Sequence, residues 1–190
     1  MARAGLTVRL VAEAGARLAD EVGLDRVTVS EVARGLGVKV PSLYSHVQGA
    51  EGLRVQIALL ALEELAERGS SAVEGRSGAD ALIALGNVYR DYAREFPGRY
   101  DATLMPLDAE TAAASAGGRH AATMRALLRG YELGDADRTH AVRLLGSVFH
   151  GYVSLERGGG FSHSEPNSTE SWDRILERLD AMLRSWSAPS

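Results

Sequence analysis

A short run, GVKVPSLYSHV at residues 37–47, concentrates side chains that can hydrogen-bond to a polar partner. Hydroxyl and imidazole groups both donate and accept hydrogen bonds, so they suit recognition of a polar or anionic surface. Pro41 favours the start of a helix, because its missing N–H would have no partner in the first turn. With Leu43 and Val47 facing inward, the predicted outward-facing residues are Lys39, Val40, Ser42, Tyr44, Ser45 and His46.

Residues of catalytic type elsewhere show no catalytic spacing. His120, His140, His150 and His163 form neither His-x-x-x-His nor Glu-x-x-His pairs on one helix, and no Gly-x-Ser-x-Gly occurs. A glycine run at 158–160 follows a helix rather than a strand, which argues against a phosphate-binding loop. The chain has no cysteine, which excludes disulfides and thiolate metal sites. We therefore predict no enzyme, no cofactor and no metal site.

Composition and charge restrict where a polyanion could bind. The 190 residues are 45% apolar with a net charge of −4, typical of a globular protein. Residues 1–48 carry six Lys and Arg against five Asp and Glu, whereas the rest carries 15 against 20. Only the N-terminal part can therefore approach a polyanion without an electrostatic penalty. No apolar run reaches the ~20 residues that span a bilayer, and we predict a cytoplasmic protein without a signal peptide.

Apolar residues recur at three- and four-residue steps along the chain, which predicts an all-α fold of about nine helices. A first helix ends at Gly23, and Thr28 to Glu31 has the capping-box form that starts a short second helix. The polar run at 37–47 supplies the third, and a fourth covers about 50–68, ending at Gly69.

The second half of the chain continues the helical pattern. Helices are predicted over 79–96, over 109–131 capped by Asp108 with a weak point at 117–118, and over 136–157 capped by Asp135. A short helix before Pro106, a glycine-rich loop GGGFSHSEPN and a final helix with a wide apolar stripe complete the prediction.

Two short helices joined through Gly37 beside a longer first helix have the form of a helix-turn-helix. The stretch GLDRVTVSEVARGLGVKVPSLYSHVQGAEGL resembles the DNA-binding region of TetR-type transcriptional regulators. This resemblance implies a DNA-binding domain at 1–48 and a ligand-binding and dimerisation domain at 49–190, connected by helix four. The implied DNA contacts are Thr28, Ser30, Lys39, Val40, Pro41, Ser42, Tyr44, Ser45 and His46.

The sequence departs from the family pattern at two places. Many relatives have a phosphate-binding lysine at the start of helix four, where this chain reads Gly49-Ala50-Glu51. Lys39 stands where a Ser or Thr often caps the recognition helix. The first difference removes a cationic contact, and the second is a candidate replacement for it.

The C-terminal part resembles the TetR subgroup with a Trp-His-Gly-like signature, here Phe149-His150-Gly151 in SVFHGYVSLERGGGF. YAREFPGRYDATLM, residues 92–105, also fits that subgroup. The candidate ligand-pocket residues are Tyr89, Tyr92, Met105, Met124, Phe149 and His150. The candidate dimer-interface residues, on the last two long helices, are Leu145, Trp172, Ile175, Leu176, Leu179, Met182, Leu183 and Trp186.

The resemblance implies a homodimeric repressor that binds a palindromic DNA operator and is released by a small hydrophobic ligand. Such a protein needs two states that differ in the separation of its two recognition helices. The alternative is a helical protein-interaction module that has lost operator binding, which the acidic total and the missing lysine suggest.

Overall fold

The structure, a computed structural model, describes residues 5–186. All regular secondary structure in that range is helical. No helix in that range combines the length and apolarity needed to cross a membrane. The nine α-helices of the described range are α1 Val8–Val22, α2 Val29–Gly35, α3 Gly49–Val73, α4 Gly78–Glu95, α5 Pro97–Thr103, α6 Ala109–Ala114, α7 Gly117–Leu128, α8 Asp135–Arg157 and α9 Ser168–Arg184. The predicted all-α class is confirmed.

The chain divides into two compact units, and each is discontinuous in sequence. The first unit holds the residues up to Glu64 together with Glu95–Gly117, and the second holds Leu65–Arg94 and the chain from Gly118 onward. The first unit thus extends beyond residue 48, where the sequence places the end of the DNA-binding domain. That functional boundary stays a prediction.

The first unit is built on small apolar side chains that let helices approach closely. At Gly98 of α5 an added Cβ would lie only 2.1 Å from the carbonyl carbon and oxygen of Ala19 in α1, so only glycine fits there. Apolar residues of α1, α2 and α3 fill the centre, and burying them is the main driving force for this packing. The core includes Val11, Ala12, Ala16, Ala19, Val32, Ala33, Leu43, Val47, Leu53, Ile57 and Ala58.

One predicted helix end in the fourth helix is wrong. α3 runs through Gly69 to Val73, because Gly69 keeps helical geometry and lets the side chain of Leu85 in α4 come close. A Cβ at Gly69 would meet Leu85 Cδ1 at 3.2 Å. Glycine at this position therefore serves helix packing rather than helix termination.

Two details of the second half also differ from prediction. The break in the 109–131 helix falls at residues 115–116 rather than at 117–118, where α7 begins with its first two glycines. Asp108 caps α6 as predicted, by accepting from the N–H groups of Glu110 and Thr111. The cap of α8 is Gly134, whereas Asp135 is the first helical residue and pairs with Arg138 at 2.8 Å.

A buried ion pair joins α4 to α8 in the second unit. Arg90 Nη2 lies 2.6 Å from Glu156 Oε1, and both side chains are almost wholly excluded from solvent. The same nitrogen donates to Thr169 Oγ1 in α9 at 3.1 Å, and the guanidinium lies 5.7 Å from the Trp172 ring. The hydrogen bond from Arg90 lowers the pKa of Glu156 to about 2. Arg90 therefore connects α4 to both α8 and α9 through one guanidinium group.

We expect Glu156→Gln to destabilise the protein by about 3 kcal/mol, because it leaves the Arg90 guanidinium buried without its carboxylate. Since the folded pKa of Glu156 lies below the usual value of 4.5, its contribution is complete above about pH 5 and is lost as the pH falls towards 2. Denaturant unfolding at several pH values measures both effects.

Glu177→Gln is the matched control, because Glu177 forms an exposed pair with Arg174 within α9. Its effect should stay within about 0.5 kcal/mol at every pH. Equal stability of the two variants at pH 7 would contradict the role given to the buried pair.

Candidate nucleic-acid interface

A glycine-based turn directs the chain from α2 into the polar run at 37–47, hereafter the recognition segment. Gly37 has φ +65°, its N–H donates to Arg34 O at 3.1 Å, and the N–H of Val38 donates to Ala33 O at 3.0 Å. These two bonds form a Schellman motif, which caps the carbonyls of the last turn. The end of α2 therefore fixes the direction in which the recognition segment leaves.

The recognition segment is a 3-10 turn followed by further turns, not the α-helix expected from the sequence. Val40–Ser42 form the 3-10 helix, and the N–H groups of His46 and Val47 both donate to Leu43 O, at 2.8 and 2.9 Å. Lys39, the residue before this turn, is extended, with φ −78° and ψ 143°.

Two apolar anchors hold the recognition segment against the first unit. Leu43 is completely buried, and Val47 is 3% exposed in the same core as α1. Val40, predicted to face outward, is half-buried and packs against that core, so the outward assignment of Val40 is corrected.

The polar side chains face solvent as the sequence predicts. Tyr44 is 58% exposed, and Lys39, Pro41, Ser42 and Ser45 are exposed, with His46 half-buried. The hydroxyl of Ser45 donates to the carbonyl of Ser42 at 3.0 Å, which stabilises the turn and occupies its only hydrogen. Tyr44 and Ser42 are therefore the hydroxyls best placed to donate to a partner.

Thr28 caps α2, as the sequence predicts. Its Oγ1 accepts from the N–H of Glu31 at 3.2 Å and donates to Glu31 Oε2 at 2.9 Å, so both functions of the hydroxyl are used within the chain. Ser30 is exposed on the first turn of α2. The DNA contacts assigned to these two residues stay predictions.

Arg34 is a cation on this surface that the sequence reasoning missed. Its side chain is 80% exposed and lies 3.7 Å from Glu31 within α2. Arg34 follows Ser30 by four residues, so the two share one face of the helix. That spacing was the available signal, and Arg34 is an exposed cation in addition to Lys39.

The start of α3 completes the candidate interface. Gly49 has φ +70°, and Ala50 and Glu51 follow on its exposed first turn. The first N–H groups of a helix lack intrahelical partners and attract anions, although the carboxylate of Glu51 opposes this. Ala50, which lies in the stretch where a lysine was expected, is exposed.

Comparison with known proteins accords with this geometry. Residues 4–56 match the family described as bacterial regulatory proteins, tetR family, and residues 82–179 match a tetracyclin repressor-like C-terminal domain. An uncharacterized HTH-type transcriptional regulator of Bacillus subtilis, YobS, is 30% identical over 97% of this chain and 92% of its own length. The chain belongs to the TetR family.

Further similarities cover nearly the whole of this TetR-family chain. The uncharacterized HTH-type transcriptional regulator Rv0681 of Mycobacterium tuberculosis is 35% identical over 95% of this chain and 84% of its own length. A structure of TetR-Q116A from Acinetobacter baumannii in complex with minocycline shares the fold, with a TM-score of 0.72 and 21% identity over 94% of this chain and 97% of that one. The protein is thus a DNA-binding transcriptional regulator and not an enzyme.

The predicted ligand-pocket residues of the TetR-family chain fall into two groups. Tyr89, Phe149 and His150 are in contact in the second unit, where the Tyr89 ring centroid lies 5.4 Å from that of Phe149 and 5.1 Å from that of His150. Tyr92 and Met124 are buried in the same unit. Met105 belongs to the first unit and packs against its core, and its assignment to the pocket stays a prediction.

His120 is a member of the Tyr89 cluster that the sequence did not reveal. Tyr89 Oη and His120 Nδ1 lie 3.3 Å apart, between α4 and α7. Burial, together with the smaller effect of the nearby His120, lowers the pKa of His150 to about 4, whereas burial raises the pKa of Tyr89 to about 12. At neutral pH the cluster therefore presents an uncharged phenol and an uncharged imidazole at position 150.

Most of the predicted dimer-interface residues lie inside the single chain. Their apolar stripe packs within the second unit, so these side chains have no surface left to bury against a partner. Trp172 also donates from Nε1 to Asn87 Oδ1 at 2.8 Å. The buried set is Leu145, Trp172, Leu176, Leu179 and Leu183, whereas Met182 is exposed and Ile175 and Trp186 are half-buried.

We expect Ala50→Lys to strengthen binding to duplex DNA, because it adds a cation at the exposed start of α3. One added phosphate contact should make the slope of log affinity against log salt steeper by about 1. Fluorescence anisotropy with a labelled duplex at several salt concentrations measures the slope.

Ala50→Gln is the neutral control of similar length and should leave the slope unchanged. An unchanged slope in both variants would show that the start of α3 does not approach the phosphates.

Proposed function

We propose that this TetR-family regulator is a homodimeric repressor that binds a palindromic DNA operator in the cytoplasm and is released by a small hydrophobic ligand. The observation that carries the proposal is the recognition segment, which is anchored by buried Leu43 and Val47 and displays Tyr44, Ser42 and Lys39 to solvent. Hydroxyl and cationic side chains of this kind position a protein on phosphates and read base edges.

The dimer surface we assign lies on the exposed faces of α8 and α9. Leu155 is 57% exposed, and Leu144, Val148 and Gly151 precede it at intervals of four, three and four residues. A Cβ at Gly151 would meet no atom within 4 Å, so the stripe is open there. Such spacing keeps apolar residues on one helix face, which suits packing against a second copy.

On α9 the exposed apolar residues continue the proposed surface. Met182 is 38% exposed and Ile175 is half-buried, seven residues apart on one face of the helix. The buried residues first assigned to the interface support this surface from beneath. We therefore assign the dimer contact to the exposed face of α9 rather than to its buried face.

For the ligand site we favour the Tyr89 cluster of the second unit. It combines aromatic walls with a few polar groups, as small-molecule sites commonly do. The minocycline complex of the Acinetobacter baumannii protein supports a ligand-sensing role for this fold. Because His150 and Tyr89 are uncharged at neutral pH, the cluster suits an uncharged or weakly polar hydrophobic molecule.

Release follows if the ligand prefers the state whose recognition segments are wrongly spaced. A dimer binds two half-sites about 34–36 Å apart, so a change in separation weakens operator binding. A ligand shifts the equilibrium only by its differential affinity for the two states. No covalent chemistry is needed.

The alternative function is a helical interaction module without operator binding. Glu51 on the first turn of α3 and the acidic total favour it, because both repel phosphates. The exposed cations Arg34 and Lys39 oppose it. Absence of any retardation of DNA at low salt would favour the module over the repressor.

We expect Tyr44→Phe combined with Ser42→Ala to abolish specific operator binding, because both donors that reach beyond the turn are removed. The loss should be about 100-fold at moderate salt, as for two hydrogen bonds to charged groups. Electrophoretic mobility shift with a duplex selected from a random-sequence pool by the wild-type protein measures it.

Ser154→Ala is the control, since this exposed serine lies on α8, outside the recognition segment. The double variant should stay folded and keep its oligomeric state, because both side chains are exposed. Unchanged affinity in a folded variant would remove the recognition segment from the proposed interface.

We expect Leu155→Glu to separate the dimer, because it places a charge in the proposed apolar contact at its most exposed leucine. The dimer dissociation constant should rise at least about 100-fold, the effect of an unpaired buried charge. Sedimentation equilibrium measures it. Leu104→Glu is the matched control, because Leu104 is 47% exposed in the first unit, and its oligomeric state should match the wild type. A dimeric Leu155→Glu protein would contradict the assigned surface.

A further inference from the structure

Arg99, the third residue of α5, connects three helices of the first unit. Its Nε lies 3.0 Å from Asp20 Oδ2 at the end of α1, and its Nη1 lies 3.2 Å from Glu64 Oε2 in α3. The N–H of Arg99 donates to Asp20 Oδ1 at 2.9 Å. The guanidinium carbon also lies 4.3 Å from the centroid of the Phe96 ring. We call Asp20, Arg99 and Glu64 the clamp.

The clamp is largely removed from solvent, so its charges depend on one another. The side chains of Arg99 and Asp20 are 15% and 16% exposed. Burial raises the pKa of Asp20, although the N–H and the charge of Arg99 lower it. A carboxylate at the C-terminal end of a helix is also opposed by the helix dipole. Asp20 is therefore a costly anion that Arg99 stabilises in place.

Backbone contact makes the junction of α1 and α5 rigid. Gly98 lies so close to Ala19 that no side chain fits between the two helices. Closely packed elements do not deform continuously but move together or separate. A displacement of α5 must therefore either carry α1 with it or break the clamp.

Chain connectivity places this junction close in sequence to the points where the chain passes between the two units. α4 ends at Glu95 and α5 begins at Pro97, so a single residue links them. α4 carries Tyr89 of the proposed ligand cluster. The chain also leaves the first unit within α3 directly after Glu64, the second partner of Arg99. The clamp thus binds residues beside two of the points where the chain passes between units.

The recognition segment shares its core with the helix that the clamp holds. Leu43 and Val47 lie in the same apolar cluster as Val11 and Ala16 of α1. Fixing the end of α1 therefore fixes the body that carries the recognition segment.

We propose that Arg99 is a positioning residue for operator recognition, which holds α1 on α5 and so sets the spacing of the two recognition segments in the dimer. This inference rests on the proposed homodimeric operator binding. Arg99 touches no DNA in this account and acts through Asp20 and Glu64. Its loss should relax the spacing while leaving each recognition segment able to bind its own half-site.

The test compares three duplexes: the palindrome selected by the wild-type protein, the same palindrome with one base pair inserted between half-sites, and a single half-site. Arg99→Gln should lose about tenfold in affinity for the selected palindrome, within the usual range of coupling between sites. Its half-site affinity should stay within about twofold of the wild type, and its preference against the inserted base pair should shrink. A purely structural role would weaken all three duplexes alike.

Two further variants separate the clamp from general instability. Asp20→Asn keeps the shape but removes the charge, and its combination with Arg99→Gln should lose less affinity than the two single losses multiplied, because both remove the same interaction. Arg99→Lys keeps the charge without the forked geometry and should retain part of the spacing preference. Should Arg99→Gln fail to fold, Asp20→Asn and Arg99→Lys decide the question, because each should weaken the spacing preference while half-site affinity stays within about twofold of the wild type.

Arg138→Gln is the control, because Arg138 pairs with Asp135 within α8 and should show wild-type discrimination. Equal losses on all three duplexes, or an unchanged spacing preference in a folded Arg99→Gln protein, would overturn the inference. If the wild-type protein itself fails to prefer a palindrome over a half-site, the proposed function fails first, and the role of Arg99 fails with it.

Discussion

The burial of Leu43 is the interaction on which the DNA-binding surface depends. The recognition segment is too short and too irregular to hold its shape alone, because a helix of this length is unstable in water. Its conformation is fixed from both ends, by the Schellman motif at Gly37 and by the anchors Leu43 and Val47. The exposed hydroxyls keep their directions only while those anchors stay in the core.

This surface carries much less positive charge than that of a strongly basic DNA-binding protein. The chain as a whole is acidic, and the cations beside the recognition segment are few, chiefly Lys39 and Arg34. Most non-specific affinity for DNA comes from phosphate neutralisation, so this regulator should bind random DNA weakly. In the proposed homodimer, recognition then depends more on the correct spacing of two recognition segments than on charge. That dependence is why we assign a positioning role to the contact between α1 and α5.

Features set by local sequence could be predicted, whereas those set by tertiary contact could not. The cap at Thr28, the turn at Gly23 and the inward positions of Leu43 and Val47 follow from short-range rules, and the structure agrees. At Gly69 the local rule predicted a helix end, but packing against Leu85 overrode it. The periodicity of apolar residues likewise could not predict the 3-10 geometry of Val40–Ser42.

The same division explains the candidate sites. Periodicity identified the apolar stripe of α9, but it could not say whether Trp172 packs within the chain or against a partner. Met105 had the right residue type for a pocket, yet the fold places it in the other unit. His120 and Arg99 act through partners more than 30 residues away, so no local pattern could have revealed them.

Hydroxyl-radical footprinting of the wild-type protein on its selected duplex tests the central claim most directly. The account predicts two protected half-sites related by a two-fold axis, with centres one helical turn or a multiple of it apart, about 10 base pairs or its multiples. A single protected site, or no protection at low salt, would contradict it.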